Sequence, residues 1–347
     1  MSTPAPTHAP HTHWARLTVI GVALAAVVGV LVLAFLWPAA TASVKGLPIA
    51  LVGESTQTSA LQDALETKSP GTFDFRTLTA RDAAVSEIRT REIYGAIVLG
   101  KAPEVLTASA ASPVVSQLLT GLAPALQAQL NAALAAQGVK LPTPLVVTVT
   151  DVVPLASTDS RGSVLGAASF PLVLGGMIGG IAISTVVVGV WRRVTALFIY
   201  SVVGGLAPAG ILQGLFGALQ GSFVVNAAAI SLTLLGIGAV ITGFVSIIGR
   251  PGIAVGPVLF LLVANPISSA ATPTQFLAQP WGAVGQWFPP GAAATLLRDL
   301  SYFPDADVLF PWLVLTGWAV AGLLLSVVGH FRGAGAATRA ALAEASA

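Results

Sequence analysis

GSVLGAASFPLVLGGMIGGIAISTVVVGVWRR, from Gly162 to Arg193, decides how the rest of the chain is read. After Arg161 it has no ionisable side chain until the pair Arg192 and Arg193. About 20 apolar residues in a helix cross the roughly 30 Å hydrocarbon core of a bilayer, so this stretch predicts a membrane span. Short loops rich in Lys and Arg stay in the cytoplasm during insertion. Arg193 is therefore expected inside, and the residues just before Gly162 outside.

Composition agrees with that beginning. Hydrophobic residues make up 55% of the 347 and charged ones only 9%, against about 25% charged in ordinary soluble domains. The chain contains no cysteine, which removes disulfides, thiol catalysis and thiolate metal sites together. Its formal charge of +2 comes from arginines at the expected inner ends of helices. That balance reports orientation in a membrane, and nucleic acid is not an expected partner.

Residues 1–16 are Pro- and Thr-rich and predict a disordered cytoplasmic tail. His8, His11 and His13 fall there without a carboxylate or thiol beside them, so no metal is expected. Residues 17–37 predict the first transmembrane helix, with Trp14 and Trp37 as interfacial anchors. The rival reading is a signal peptide ending near Ala40, Thr41 and Ala42. An apolar core longer than the roughly 7 to 15 residues of a signal segment favours a retained helix.

Residues 38–161 change texture. Charges are spaced throughout, and apolar runs are only strand-length. Strands are expected at Leu47 to Val52, Phe73 to Leu78 and Tyr94 to Leu99, with helices at Thr58 to Thr67 and Ala80 to Arg91 between them. That alternation predicts an α/β layer with parallel neighbours. A longer helix at Ser112 to Gln137 carries Leu118, Leu122, Leu126, Leu130 and Leu134, with Pro124 expected to kink or split it. Leu145 to Val153 reads as a closing β-branched strand.

Residues 162–330 then read as a five-helix transmembrane domain. Further spans are expected at Val194 to Leu215, Phe223 to Ile248, Ile253 to Ala264 with its extension, and Val308 to Val328. Six crossings put Arg16, Arg192, Arg193, Arg250, Arg332 and Arg339 on one side, the cytoplasmic one. Residues 331–347 form a second cytoplasmic tail. On the outer side, residues 265–307 read as a re-entrant or interfacial segment bearing Trp281, Trp287 and Phe288. Pro289 and Pro290 lead a short helix from Gly291 to Leu300, in which Arg298 is offset by Asp299.

Gly175, Gly176, Gly179 and Gly180 make overlapping small-xxx-small pairs, a theme repeated by Gly252 and Gly256, and are expected at helix contacts. No Asp, Glu, His or Arg lies inside the spans, which argues against a proton-driven pump or a voltage sensor. All four histidines fall at or near the expected inner face, so no Ser-His-Asp set forms outside. Gly100-Lys101 is followed by Ala102-Pro103 and is no phosphate-binding loop. No catalytic residue and no cofactor is expected.

Three stretches carry a family resemblance. LPIALVGES from Leu47 with REIYGAIVLG from Arg91, GRPGIAVGPVLFLLVANPISSAATP from Gly249, and WFPPGAAATLLRDLSYF from Trp287 resemble the membrane subunits of type-2 ABC exporters, in particular the YhgE/Pip branch. The resemblance implies a multi-pass α-helical protein of the plasma membrane with six transmembrane helices and an extracytoplasmic α/β domain inserted between the first two. It implies a permease-like subunit, dimeric or paired, that exports a hydrophobic or amphipathic substrate on energy from a separate ATP-binding subunit. Arg192, Arg193 and Arg250 then lie where coupling to that subunit occurs. The chain departs from the family between spans two and three, where an acidic coupling helix is replaced by Trp191, Arg192, Arg193 and Val194. The alternative is a membrane-anchored receptor or scaffold whose outer domain binds a partner.

Overall fold

The computed structural model describes residues 13–138 and 143–345, with side chains in the last stretch as far as Arg332. Residues 1–12 of the tail expected at 1–16, with His8 and His11, and the last two residues lie outside these, while Trp14, Ala15 and Arg16 already belong to the first helix. The chain opens with α1 (Trp14–Ala40). There follow β1 (Leu47–Val52), α2 (Ser55–Lys68), β2 (Phe73–Leu78), α3 (Arg81–Arg89), β3 (Gly95–Val98), β4 (Glu104–Thr107), α4 (Pro113–Ala136) and β5 (Thr148–Asp151). The helices α5 (Ser163–Val186), α6 (Val190–Ala209) and α7 (Phe223–Ile248) come next, then α8 (Trp281–Gly285), α9 (Pro289–Tyr302) and α10 (Leu309–Ala345).

The sheet has the order β2-β1-β3-β4-β5. β2 and β3 both run parallel to β1, which their helical crossovers require. β4 reverses against β3, and β5 runs parallel to β4. The sequence reading passes over β4, because EVLT is short and follows Pro103 directly. Leu47, Ile49, Leu51 and Ile97 are essentially inaccessible, and α4 covers the sheet through Val115, Leu119, Ala123 and Leu126. The expected leucine stripe is thus only partly the buried face. Steps of four residues drift around a 3.6-residue helix, so Leu118, Leu122 and Leu130 sit at its margin. Pro124 does not split α4.

Among the described residues five helices are long and apolar enough to cross a membrane: α1, α5, α6 with the π-helical turns that prolong it to Leu215, α7, and α10 from Leu309 to Arg332. The stretch expected as the fifth of six spans is different. Arg250–Ala264 is a shorter apolar helix that begins as 3-10 and ends as π turns. At 1.5 Å per residue it covers only about 22 Å. Pro251 sits in the first turn, where its missing amide costs no bond, but Pro257 lies inside the stretch without an amide to donate, and from there to Ala264 the turns are π. Residues 331–345 extend α10 as helix, as their alanines favour.

α7 is the centre of the bundle, with 72% of its most apolar window buried against none for α1. Glycines set the approach of its neighbours. A Cβ on Gly180 would come within 2.9 Å of the Gly238 Cα, one on Gly176 within 2.8 Å of Ile237, and one on Gly243 within 2.6 Å of the Gly322 carbonyl oxygen. Gly179 lies under the ring of Tyr200, whose hydroxyl donates to the Gly175 carbonyl at 2.6 Å. Gly252 lies against the Phe244 backbone and Gly256 against Ile241. The order of these contacts gives direction. Gly236, Gly243 and Ser246 meet Leu315, Gly322 and Gly329 in turn, so α7 and α10 run parallel. α5 is parallel to α7 as well, α6 is antiparallel, and Arg250–Ala264 returns along α7 antiparallel to it.

Two outcomes test this packing. Gly322→Val drives a branched side chain into the α7 backbone and is expected to destabilise the bundle by about 1–3 kcal/mol, read as a lower melting temperature in detergent. In the sheet, hydrogen bonding from Arg81 holds Glu104 below the usual carboxylate range against the opposing effect of burial, with help from Thr150. A lowered folded value contributes stability above the unfolded pKa of about 4.3, lost as pH falls through the folded one. Glu104→Gln should flatten the acid-side slope of stability below that pH.

Candidate functional site

The α/β unit and the segment before α10 meet in a buried, polar junction. The chain leaving α1 is bound first, as the Ser43 amide donates to the Phe276 carbonyl at 3.1 Å and the Lys45 amide to Gln275 at 3.2 Å. The Tyr94 hydroxyl then donates to Gln275 Oε1 at 3.3 Å, and the Tyr302 hydroxyl to the Ala218 carbonyl at 3.0 Å. Phe303, next after α9, is 1% exposed and belongs to the core of the α/β unit.

At the centre, Arg91 pairs with Asp299, side chains 15% and 5% exposed, and lies over the Phe303 ring at 5.8 Å. Arg91 follows the end of α3 with φ +62, a place usually given to glycine. Holding an L residue there costs about 1–2 kcal/mol. The chain therefore tolerates backbone strain to present a guanidinium to Asp299. Burial draws Arg91 down, but Asp299 and Tyr94 outweigh it and leave the guanidinium above its ordinary value. Burial pushes Asp299 up against the pull of Arg91.

Arg298 does not pair with its sequence neighbour. Adjacent helix residues point in different directions, and Arg298 donates instead to the Ala270 carbonyl at 3.0 Å. Burial and the neighbouring Arg91 lower it to about 10, so it stays charged at neutral pH. Gln286 supports the same loop, donating to the Ser268 carbonyl at 3.1 Å and accepting from Thr295 at 2.7 Å.

Behind that loop lies a cavity of about 340 Å³, between the end of α1, the start of α5 and residues 265–277. Phe35 of α1 meets Phe170 of α5 edge-on at 6.3 Å at its apolar side, while Ser169, Asn265, Ser269 and Thr272 supply its polar side. One turn of α9 touches the junction through Asp299 and, through Arg298, the carbonyl of Ala270 in the loop that lines the cavity.

The residues singled out by sequence fall into three places. Trp281 opens α8 and meets Trp37 of α1 at 6.2 Å. Trp287 is exposed and accepts from the Trp318 indole through its carbonyl, Phe288 stacks on Trp318, and Pro289 and Pro290 are buried at the first turn of α9. Arg192, Arg193 and Arg250 lie at the opposite pole of the bundle, where Arg193 donates to the Val187 carbonyl at the end of α5. Sequence reasoning missed Arg91 as a site residue. Its signal was an arginine, with no glycine, just after a helix end.

Among the described residues no group of three or more His, Cys, Asp or Glu could hold a metal. Asp299→Ala is expected to destabilise the junction by about 3–5 kcal/mol, because Arg91 is left in the junction without its carboxylate partner. Faster hydrogen exchange at the Ser43 and Lys45 amides would show it, and an Arg91→Met/Asp299→Leu double variant should lose less than the two singles summed. Comparison with family models, curated proteins and solved structures finds no match for this chain.

Proposed function

We propose that the chain is a permease-like membrane subunit of an ABC-type exporter, moving a hydrophobic or amphipathic substrate outward on energy from a separate ATPase. The observation that carries this reading is the cavity between α1 and α5, apolar on one side and hydroxylated on the other, reached past a helix that the bundle does not enclose. Amphiphiles need such a two-sided surface. An anchor would need one span, whereas here a glycine-packed bundle surrounds α7.

In this reading the α/β unit is extracytoplasmic and inserted between the first two spans, and the bundle crosses the plasma membrane six times. Parallel α7 and α10 support the sixth crossing. The chain must return along α7 before α10 can begin, and Arg250–Ala264 supplies that return. Both termini are then cytoplasmic, and the chain works as a dimer or with a second permease. ATP-driven movement at Arg192, Arg193 and Arg250 tilts α5 and α7, and α9 relays the tilt to the junction and the cavity.

A second reading, a receptor or scaffold, is favoured by two observations. Only Val187, Val188 and Gly189 link α5 to α6, leaving no helix for an ATPase to grip. The α/β unit also has a crevice of about 760 Å³ beyond the carboxyl ends of β1, β2 and β3, with Glu54, Gln57, Thr79 and Lys101 on its walls. Open α/β sheets bind partners there.

Co-purification separates the readings. An exporter subunit retains an ATPase whose turnover rises several-fold on adding the chain in proteoliposomes, and Arg192→Glu/Arg193→Glu abolishes the rise. A chain that brings down no ATPase while its outer domain retains a partner is a scaffold. A phosphatase reporter at residue 100 should be active and one after Arg193 silent; the reverse pattern overturns both.

A further inference from the structure

Building on the reading of the chain as a carrier of amphiphiles, we propose that the cavity between α1, α5 and residues 265–277 takes a neutral lipid, hydrocarbon chains bearing an uncharged, hydroxylated headgroup. Charge is the first argument. None of the residues lining the cavity is ionisable. A charged headgroup entering it would lose water and gain no counter-ion, and such burial is strongly disfavoured. Arg298, which donates to the Ala270 carbonyl of the loop, is not among the lining residues.

Polarity is the second. Ser169, Asn265, Ser269 and Thr272 offer hydroxyl and amide groups that both donate and accept, which suits hydroxyls and esters. Ser269 stands out among them. Its φ is +54, and among the described residues its Oγ has no hydrogen-bond partner. The hydroxyl is turned away from the open space, and a χ1 rotation that brings it to the cavity wall would let a ligand group supply the bond it lacks. Ser268 beside it is already satisfied, donating to the Asn265 carbonyl at 2.7 Å.

Shape is the third. About 340 Å³ holds a glycerol-sized headgroup and the first methylenes, and no more. The chains must leave past Phe35 and Phe170. There α1 is unburied, so the gap faces lipid.

The test uses the full chain in nanodiscs with neither ATPase nor nucleotide present. Photoreactive diacylglycerol and photoreactive phosphatidylglycerol of the same chain length are crosslinked, and labelled peptides are mapped. The neutral probe should label residues 35–42 or 265–277 at least about tenfold more than the anionic one. Ser269→Ala and, separately, Asn265→Ala should each reduce that labelling several-fold with the melting temperature kept. Equal labelling by the two probes, labelling elsewhere only, or no effect of either variant overturns the site. Loss of ATP-driven export with labelling intact defeats the carrier reading instead, and leaves this site standing.

Discussion

Backbone contact along α7 is the constraint on which the molecule depends. In lipid no hydrophobic force draws helices together, so association rests on how closely their backbones can come. Gly180 against Gly238 and Gly243 against Gly322 bring α5 and α10 to that distance, and Gly252 and Gly256 do so for the short returning helix. Because α5, α7 and α10 all run the same way, their starts gather at one end. That end is where the α/β unit rests, so the bundle's direction fixes where the junction forms.

The junction adds charge to this apolar frame. Two guanidiniums and one carboxylate are enclosed between the sheet and α9, with tyrosine hydroxyls from both sides. Buried ion pairs are weak sources of stability. Here Arg91 reaches its carboxylate across the seam between the sheet and α9, and Arg298, next to that carboxylate in sequence, bonds the loop that walls the cavity.

The long apolar stretches and the first three strands were legible in the sequence because each has a strong local signal: length without charge, or a β-branched run between helical patterns. The rest depends on neighbours far away in the chain. β4 is four residues long and gains its identity only from pairing with β3. The return helix is read from sequence by its apolar run alone, which does not show that it is shorter than its neighbours and built of 3-10 and π turns. Asp299 seemed to be answered by Arg298, whereas its partner lies 208 residues earlier. The sequence showed that Ser268 and Ser269 were small and polar. It did not show that one is bonded and its neighbour is not.

The parallel course of α7 and α10 also bears on biogenesis. A ribosome delivers α7 well before α10 has been made, and in that interval the strip through Gly236 and Gly243 has no cover. The contact between these two helices can form only once Gly322 has been made, so the α7–α10 seam closes after the rest of the bundle has been synthesised.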